Sequence, residues 1–338
     1  MKLSAIIPVH NGGEDLRMCL RALTRSTRPP DEIIIVDDAS TDESAQLAAH
    51  FGNVIASQSR QPMGPARARN LGVEKASGDV LLFLDSDVMV HSNTLALIEH
   101  YFAEHPDTAA LFGSYDDNPP HRGWVSLYKN LQHHFVHHHG QVDASSFWTG
   151  VGAIRRDIFL RLGGFMESYS RPSIEDIELG VRLKASGYRI RLCPDVQATH
   201  LKHWNIRSLL RTDIFDRAIP WARLILSSSQ LPADLNLDWK SRVSAMCVCG
   251  LAILFPVGFW FPPAWIGVFL LAGFVMIANI SLYRFFAQRG GLGFAAGAML
   301  LHFLYFFYSS LAFGLVSIEH LISRKHQKAS VAHRSMSH

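Results

Sequence analysis

The sequence predicts an α/β fold in roughly its first two thirds and a group of apolar, membrane-associated helices in its last third. Short apolar runs alternate with amphipathic stretches as far as residue 84, a pattern typical of strands and helices packed in layers. Acidic residues follow two of these runs directly. In the last third, residues 243–283 contain no Asp, Glu, Lys, Arg or His.

Composition narrows the possible functions. The 338 residues contain 32 Lys and Arg against 29 Asp and Glu, a net charge of only +3, so we expect no nucleic-acid partner. The four cysteines have neither zinc-ligand nor secreted-disulfide spacing, which favours reduced thiols. The first apolar run is too short for a signal peptide, so the first domain is expected in the cytoplasm.

The elements follow in order along the first domain. Strands are predicted at Leu3–Val9, Glu32–Val36 and, as a short third strand, Val54–Ala56. A helix with Leu16, Cys19, Leu20 and Leu23 on one face follows the first strand. Another helix opens at Gly64 and leads to the central strand. A last strand is predicted at Tyr188–Leu192.

The central strand, Val80–Leu84, is a continuous apolar run, as expected for a strand buried on both faces of a sheet. Asp85 and Asp87 follow it at once. Ligands of open α/β sheets bind beyond the carboxyl ends of the strands, and two carboxylates can share a hard cation that also contacts a diphosphate. The placement predicts a site for a metal and a nucleotide.

Several short motifs together carry a family resemblance. They are Pro8-Val9-His10-Asn11, Val36-Asp37-Asp38-Ala39-Ser40, Gly64 with Ala68-Arg69-Asn70, Leu84-Asp85-Ser86-Asp87, Thr149 to Arg156, Gly163-Gly164-Phe165 and Glu175 to Gly180. In this order and spacing the chain resembles family 2 glycosyltransferases of the GT-A fold, a Rossmann-like mixed sheet with flanking helices. The resemblance covers roughly residues 3–225. The Gln-x-x-Arg-Trp motif of processive relatives is absent, which argues against a polymerising synthase.

The resemblance implies roles for individual residues. The donor, a nucleotide sugar with UDP favoured, would be bound by Pro8, His10, Asn11, Asp38, Ser40, Gly64, Arg67, Arg69 and Asp85. A divalent cation, Mn²⁺ or Mg²⁺, would be held by Asp87, Asp85 and His200, although His200 can equally be a hydrogen-bonding loop residue. The acceptor side would comprise Gly150, Arg155 and Glu175, with Asp176 as the general base of an inverting reaction. The family often has Tyr where this chain has His10.

The stretch from Trp124 to Gly140 is rich in aromatic residues and histidines. His133 and His137, like His134 and His138, are one helical turn apart, a spacing that can bind a metal. A solvated or membrane-facing helix without a ligand is the preferred interpretation. A cationic surface that binds an anionic acceptor is the third interpretation.

The C-terminal third is predicted to lie in a membrane. Residues 243–283 are about twice as long as one span requires, so we expect two spans turning at Pro262-Pro263. Leu292–Ile318 is a third apolar segment, and whether it crosses fully stays open because the positive-inside tendency would then be violated. The predicted domains are 1–225 catalytic, 226–242 linker, 243–322 membrane helices and 323–338 a basic, disordered tail.

These features predict a multi-pass protein of the cell (inner) membrane. Its expected reaction is transfer of a single sugar to a lipid-linked or membrane-proximal hydroxyl group. A polyprenyl-phosphate sugar synthase is the alternative within the same class, and a non-catalytic membrane scaffold is the alternative from another. A dehydrogenase is disfavoured because the first βα turn lacks Gly-x-Gly-x-x-Gly.

Overall fold

The computed structural model describes residues 1–57, 59–227 and 238–335, and the chain divides into two compact units after Asn205. Within the described part of the first unit, nine strands form one sheet. The strands are β1 (Leu3–Val9), β2 (Glu32–Asp37), β3 (Asn53–Ala56), β4 (Val80–Leu84), β5 (Val88–Val90), β6 (Thr108–Tyr115), β7 (Asp143–Ala144), β8 (Val151–Arg155) and β9 (Arg189–His200).

Helices cover both faces of this sheet. They are α1 (Gly13–Thr24), α2 (Ser44–Ala48), α3 (Pro65–Lys75), α4 (Thr94–Glu104), α5 (Trp124–His138), α6 (Arg156–Arg161) and α7 (Glu175–Ala185). The sheet order is β3-β2-β1-β4-β8-β6-β9-β5, with β7 paired to β9. Strands β1 to β4 are parallel, whereas β8 runs antiparallel to β4 and to β6. The sheet is therefore mixed, as predicted.

The central strand confirms the burial that its apolar run predicted. All five residues of β4 are fully buried, and their side chains alternate between two hydrophobic clusters. On one face Leu82 and Leu84 pack with α1. On the other, Phe83 lies 5.4 Å from Phe159 and 5.0 Å from Phe165 between ring centroids. Apolar surface buried on both faces fixes the position of the residues that follow the strand.

The last strand is longer than predicted. The sequence predicts its end at Leu192, and Cys193-Pro194-Asp195 follows. Instead β9 bulges at these residues, since Phe112 pairs with Leu192 and Ser114 with Gln197, and it continues to His200. Proline has no N–H to donate to the sheet, and a bulge tolerates it because residues in the bulge are left unpaired. His200 consequently lies in a strand and not in a loop.

The second unit is helical in its described residues. It comprises α8 (Ile206–Arg211), a π-helical turn (Thr212–Ala218), α9 (Ile219–Ser227), α10 (Trp239–Val257), α11 (Ala264–Ala278) and α12 (Ile280–Ser335). The backbone leaves the helical region at Gly291, with φ of 81°, so α12 is two helices joined at a kink. Within this unit the Tyr308 hydroxyl donates a hydrogen bond of 2.7 Å to the buried Asp213.

Two described helices are long and apolar enough to cross a membrane, Trp239–Val257 and Ile280–Arg324. The chain turns between α10 and α11 around Pro262-Pro263, where the sequence predicted a turn. The 15 residues of α11 would span only about 22 Å. Most of the predicted linker, residues 228–237, lies outside the described residues. The chain is helical as far as Ser335, where the sequence predicted a disordered tail.

Gly64 provides a test of close backbone packing. Its φ is +94°, and an added Cβ would lie 2.6 Å from the carbonyl carbon of Ser170. Gly163 has a φ of +81° but nothing within 4 Å of an added Cβ. We predict that Gly163→Ala costs about 1–2 kcal/mol of unfolding free energy through its backbone alone, and that Gly64→Ala costs clearly more. Thermal unfolding of the detergent-purified chain measures both. Equal losses of unfolding free energy in the two variants would show that the close contact with Ser170 does not add to the cost of Gly64→Ala.

Candidate functional site

The predicted site residues lie largely at one edge of the sheet. Because β1, β2 and β4 are parallel, the segments that follow Val9, Asp37 and Leu84 emerge together. The antiparallel β8 begins at Val151, opposite Leu84, and places Thr149 and Gly150 at this edge as well. An added Cβ at Gly150 would lie 2.2 Å from the Trp148 ring, so the backbone there is closely packed.

A buried arginine connects two carboxylates across this edge. Arg69 of α3 has only 3% of its side chain exposed, and it donates hydrogen bonds to Asp85 Oδ1 at 2.7 Å and to Glu175 Oε1 at 2.8 Å. Glu175 Oε2 in turn accepts from the Ser173 N–H at 2.9 Å. The sequence assigned Arg69 to the donor. The structure shows that the guanidinium is already engaged by both acids, so it fixes their positions.

The loops on the predicted donor side are joined through Asp38. Its carboxylate accepts hydrogen bonds from the backbone N–H groups of Met63, at 2.8 and 3.0 Å, and of Gly64, at 2.8 Å. His10 Nδ1 donates to the Asp38 carbonyl oxygen at 2.9 Å. The buried Asp38 side chain therefore fixes the loop that opens α3, and the loops after β1 and β2 are held to each other.

Asn11 makes a second connection between the same loops. Its N–H donates to Ser40 Oγ at 2.9 Å, and its Oδ1 accepts from the Thr41 N–H at 2.7 Å. Asn11 and Ala39 have φ values of 55° and 59°, which are uncommon for residues other than glycine. Pro8, opposite Val36 in the sheet, precedes this pair of loops. Such strained turns are characteristic of ligand-binding loops.

Asp176 lies at the start of α7 with its carboxylate held by Thr149. Its Oδ2 accepts from the Thr149 N–H at 3.0 Å and from the Thr149 hydroxyl at 3.1 Å. Burial and the neighbouring Glu175 charge raise the pKa of Asp176 to about 6, although the Thr149 hydrogen bond and Arg69 oppose the shift. A carboxyl group with this pKa can accept a proton near neutral pH.

Asp87 and His200 face each other, with Asp87 Oδ2 3.7 Å from His200 Nε2. Burial raises the pKa of Asp87, but the His200 imidazole and the Lys202 charge outweigh it, so the carboxyl lies below its ordinary value. No group of three His, Cys, Asp or Glu side chains converges on a metal position within the described residues. The carboxylate and imidazole nevertheless fit a cation whose remaining ligands come from substrate oxygens.

Two predicted residues are not brought to this site. Arg155 pairs with Val80 at the opposite end of the five-residue β4, and its guanidinium donates to the carbonyl oxygens of Thr108 and Pro106. The acceptor-side assignment of Arg155 is therefore corrected to a structural one. Arg67 is 54% exposed and lies 3.7 Å from Glu167, and within the described residues it forms no ion pair with another predicted site residue.

The histidine-rich stretch also differs from its preferred interpretation. It forms α5, which packs on the sheet with Tyr128, Asn130 and His137 buried. Within the described chain its histidines form no metal cluster. Asn130 of this helix accepts a hydrogen bond of 2.9 Å from His200 Nδ1. The sequence analysis missed Asn130, and it included Thr149 in a motif without giving it a role, because neither side chain is titratable and their partners are distant in the chain.

A mixed sheet with carboxylates beyond the carboxyl end of its central strand, together with a buried acid on a facing helix, defines the GT-A class of sugar transferases. Residues 4–163 match the sequence profile described as glycosyl transferase family 2, and residues 129–204 match one described as N-terminal domain of galactosyltransferase. Residues 4–163 therefore form a glycosyltransferase family 2 domain, and the protein is a glycosyltransferase.

Known proteins agree with this classification. The O-antigen chain rhamnosyltransferase RfbN of Salmonella typhimurium is 26% identical over 65% of this chain and 74% of its own length. The uncharacterized glycosyltransferase YibD of Escherichia coli is 38% identical over 27% of each chain, and the glycosyltransferase AglE of Haloferax volcanii is 36% identical over 28% of this chain and 33% of its own. These latter two matches span about a third or less of each relative.

Solved structures show the same fold. The mannosyltransferase PcManGT from Pyrobaculum calidifontis, in complex with GDP-Man and Mn²⁺, has a TM-score of 0.55 and 17% identity over 95% of this chain and 87% of its own. Residues 1–349 of TarS from S. aureus, in complex with UDP-GlcNAc, have a TM-score of 0.50 and 18% identity. The match covers 96% of this chain and 92% of the TarS fragment. At these identities the likeness establishes the fold.

Arg69 and Arg67 provide a matched pair of variants. A lysine at position 69 keeps the charge, but its single ammonium group cannot reach both carboxylates with the geometry of a guanidinium. We predict that Arg69→Lys lowers the unfolding free energy by about 1–3 kcal/mol, since a buried polar group loses its partner. Arg67→Lys at the exposed position changes it by less than about 0.5 kcal/mol. Thermal unfolding in detergent that gave the two variants equal stability would contradict the bridging role.

Proposed function

We propose that this chain is a membrane-associated, metal-dependent, inverting glycosyltransferase that moves one sugar from a nucleoside diphosphate donor to a hydroxyl acceptor. The observation that carries the proposal is the Asp176 carboxyl, buried, positioned by Thr149 and with its pKa raised to about 6. A hydroxyl nucleophile needs such a base, whereas the phosphate acceptor of a polyprenyl-phosphate synthase is already ionised. The geometry therefore favours the hydroxyl acceptor.

Different residues of the chain bind the donor and activate the acceptor. The backbone around His10 and the loop held by Asp38 bind the nucleotide, and Asp85, fixed by Arg69, is directed to the ribose or the cation. Asp87 and His200 would hold Mn²⁺ or Mg²⁺, which when bound neutralises the charge that develops on the diphosphate leaving group. Asp176 takes the proton from the acceptor hydroxyl as it attacks the anomeric carbon. A single base with no covalent nucleophile gives inversion.

Related proteins support a nucleotide-sugar donor without specifying it. PcManGT was solved with GDP-Man and TarS with UDP-GlcNAc, so the same fold accommodates two different bases. A UDP-sugar stays our preferred donor. RfbN acts, by its name, on an O-antigen chain, which agrees with a role for the present protein in building a cell-envelope polysaccharide or glycolipid.

The apolar helices support a membrane location and a lipid-linked or membrane-proximal acceptor. Many large apolar side chains between Trp239 and Ile322 are exposed, among them Trp260 in the turn between α10 and α11 and Leu292 in α12, each 83% exposed. An apolar surface of this kind is stable only against lipid or another protein. We propose a multi-pass protein of the inner membrane with the first unit, residues 1–205, on the cytoplasmic side. The predicted catalytic domain, 1–225, is longer than this unit because residues 206–225 belong to the helical second unit.

The proposed activity is tested with detergent-purified protein and a panel of nucleotide sugars, with Mn²⁺, with Mg²⁺ and with chelator. We expect turnover of one donor that requires the metal and that is lost in Asp87→Ala. The matched control is Asp107→Ala, which removes an exposed acid paired with Arg189. Folded protein that neither binds nor turns over any donor would support the scaffold alternative instead.

The pH dependence tests the general base. Because only the ionised Asp176 accepts a proton, kcat/KM should fall as the pH drops through about 6, to about a tenth of its plateau at pH 5. Asp176→Asn should lower kcat by about 10²–10⁴-fold and leave donor binding intact. Near-normal transfer by Asp176→Asn would instead indicate an acceptor that is already ionised, such as a lipid phosphate.

The pH dependence of stability distinguishes a loss of activity caused by protonation of Asp176 from a loss caused by acid unfolding. The pKa of Asp176 in the folded protein lies above its ordinary value of 3.8. The stability linked to this group is therefore fully present below that value and is lost as the pH rises through about 6. Acidification stabilises the fold through Asp176 while it removes the catalytic carboxylate, so the two pH dependences run in opposite directions.

A further inference from the structure

His200 is held on three sides by residues of the sheet and of α5. Its ring is 7% exposed and stacks on Tyr115, with centroids 4.3 Å apart and planes 4° from parallel. Its Nε2 points to Asp87 at 3.7 Å, and its Nδ1 lies 2.9 Å from Asn130 Oδ1. Sequence reasoning left the function of the helix that carries Asn130 open.

The orientation of the Asn130 amide follows from its own contacts. The side chain is 1% exposed, and its Nδ2 lies 2.9 Å from the carbonyl oxygen of Ser126, one helical turn earlier. A carbonyl oxygen only accepts hydrogen bonds, so the amide nitrogen must face Ser126. The amide oxygen therefore faces His200, and His200 Nδ1 must carry the proton.

The two contacts of His200 differ in length, and this difference decides the tautomer of the neutral ring. A proton on Nε2 alone would bring two lone pairs together at 2.9 Å, between Nδ1 and the Asn130 oxygen. A proton on Nδ1 satisfies that contact and leaves the Nε2 lone pair 3.7 Å from the Asp87 carboxylate. An imidazole lone pair beside a carboxylate is a combination that a cation stabilises.

We propose that Asn130 is a positioning residue that fixes His200 in the Nδ1-protonated tautomer and thereby presents Nε2 as a metal ligand beside Asp87. Groups of this kind behind a ligating histidine orient the ring and raise metal affinity. The proposal rests on the metal dependence of the proposed function. It also gives α5 a role, since the helix supplies the residue that orients His200.

Two variants of Asn130 separate positioning from folding. Asn130→Asp keeps an acceptor for His200 Nδ1 but loses the donor to Ser126, so we expect it to lower the melting temperature and to keep the tautomer. Asn130→Leu removes both the acceptor for His200 Nδ1 and the donor to Ser126. His138→Leu is the control, because His138 lies on the same helix and makes its hydrogen bond of 3.1 Å with Gln197 of β9.

The tautomer is measured by ¹⁵N NMR of histidine-labelled, metal-free, full-length protein in detergent, with the His200 signals identified by their loss in His200→Gln. We expect Nδ1 protonation in wild type, Asn130→Asp and His138→Leu, and a change of tautomer in Asn130→Leu. Nε2 protonation in the neutral ring of the wild type, or an unchanged tautomer in folded Asn130→Leu, would overturn the proposal.

Mn²⁺ affinity at saturating UDP, measured by the EPR signal of free Mn²⁺, provides the second measurement. We expect Asn130→Leu to bind about 10–100-fold more weakly than wild type, and Asn130→Asp and His138→Leu to stay within a few-fold. Equal affinity of folded Asn130→Leu and wild type would refute the positioning role. If the wild type bound no Mn²⁺, the proposed metal dependence would fail, and the tautomer would still decide the role of Asn130.

Discussion

The candidate site depends on the buried guanidinium of Arg69. Asp85 follows the central strand and Glu175 opens α7, and one side chain holds both at 2.7–2.8 Å. Two acids placed at one edge of a sheet would repel each other, and a buried cation between them removes that cost only if both partners stay in place. The residues assigned to the donor and to the acceptor are thus parts of one electrostatic unit.

The four acids of the candidate site fall into two groups according to their contact with Arg69. Asp85 and Glu175 are engaged by Arg69, which makes them structural supports. Arg69 bonds to Oδ1 of Asp85 and leaves Oδ2 for a ligand, whereas both oxygens of Glu175 already accept hydrogen bonds, from Arg69 and from Ser173. Asp87 and Asp176 accept no hydrogen bond from that guanidinium within the described residues, and each contacts a neutral or switchable neighbour instead, His200 for Asp87 and Thr149 for Asp176. The arrangement leaves one acid suited to a cation and one suited to a proton.

Much of this arrangement was predictable from local sequence. The apolar run of β4 predicted a buried central strand, and the acids after it predicted the functional edge, because strand ends are set by composition and sheet geometry. The extension of β9 to His200 was not predictable, since Cys193-Pro194-Asp195 reads locally as a turn and the bulge forms only against β6. Arg155 was misassigned for a related reason. Its position at the far end of β8 depends on the antiparallel pairing with β4.

The long-range contacts of the site were also not predictable from the sequence. Nothing near Asn130 in the sequence indicates that it faces His200, and nothing near Arg69 indicates that Glu175, 106 residues away, is its partner. The histidines of α5 drew attention because of their spacing, whereas the residue of that helix that contacts the site is an asparagine. Spacing reports which residues share a helix face, but it does not report what packs against that face.

The most direct test of the connected site is a double-mutant cycle of Asp85→Asn and Glu175→Gln, measured as the dissociation constant of the donor nucleotide. Glu175 is assigned to the acceptor side, yet the account predicts that Glu175→Gln weakens donor binding through Arg69 and Asp85. In the Asp85→Asn background the same change should have little further effect, giving a coupling of about 0.5–3 kcal/mol. Additive effects, or no effect of Glu175→Gln on the donor, would contradict the account.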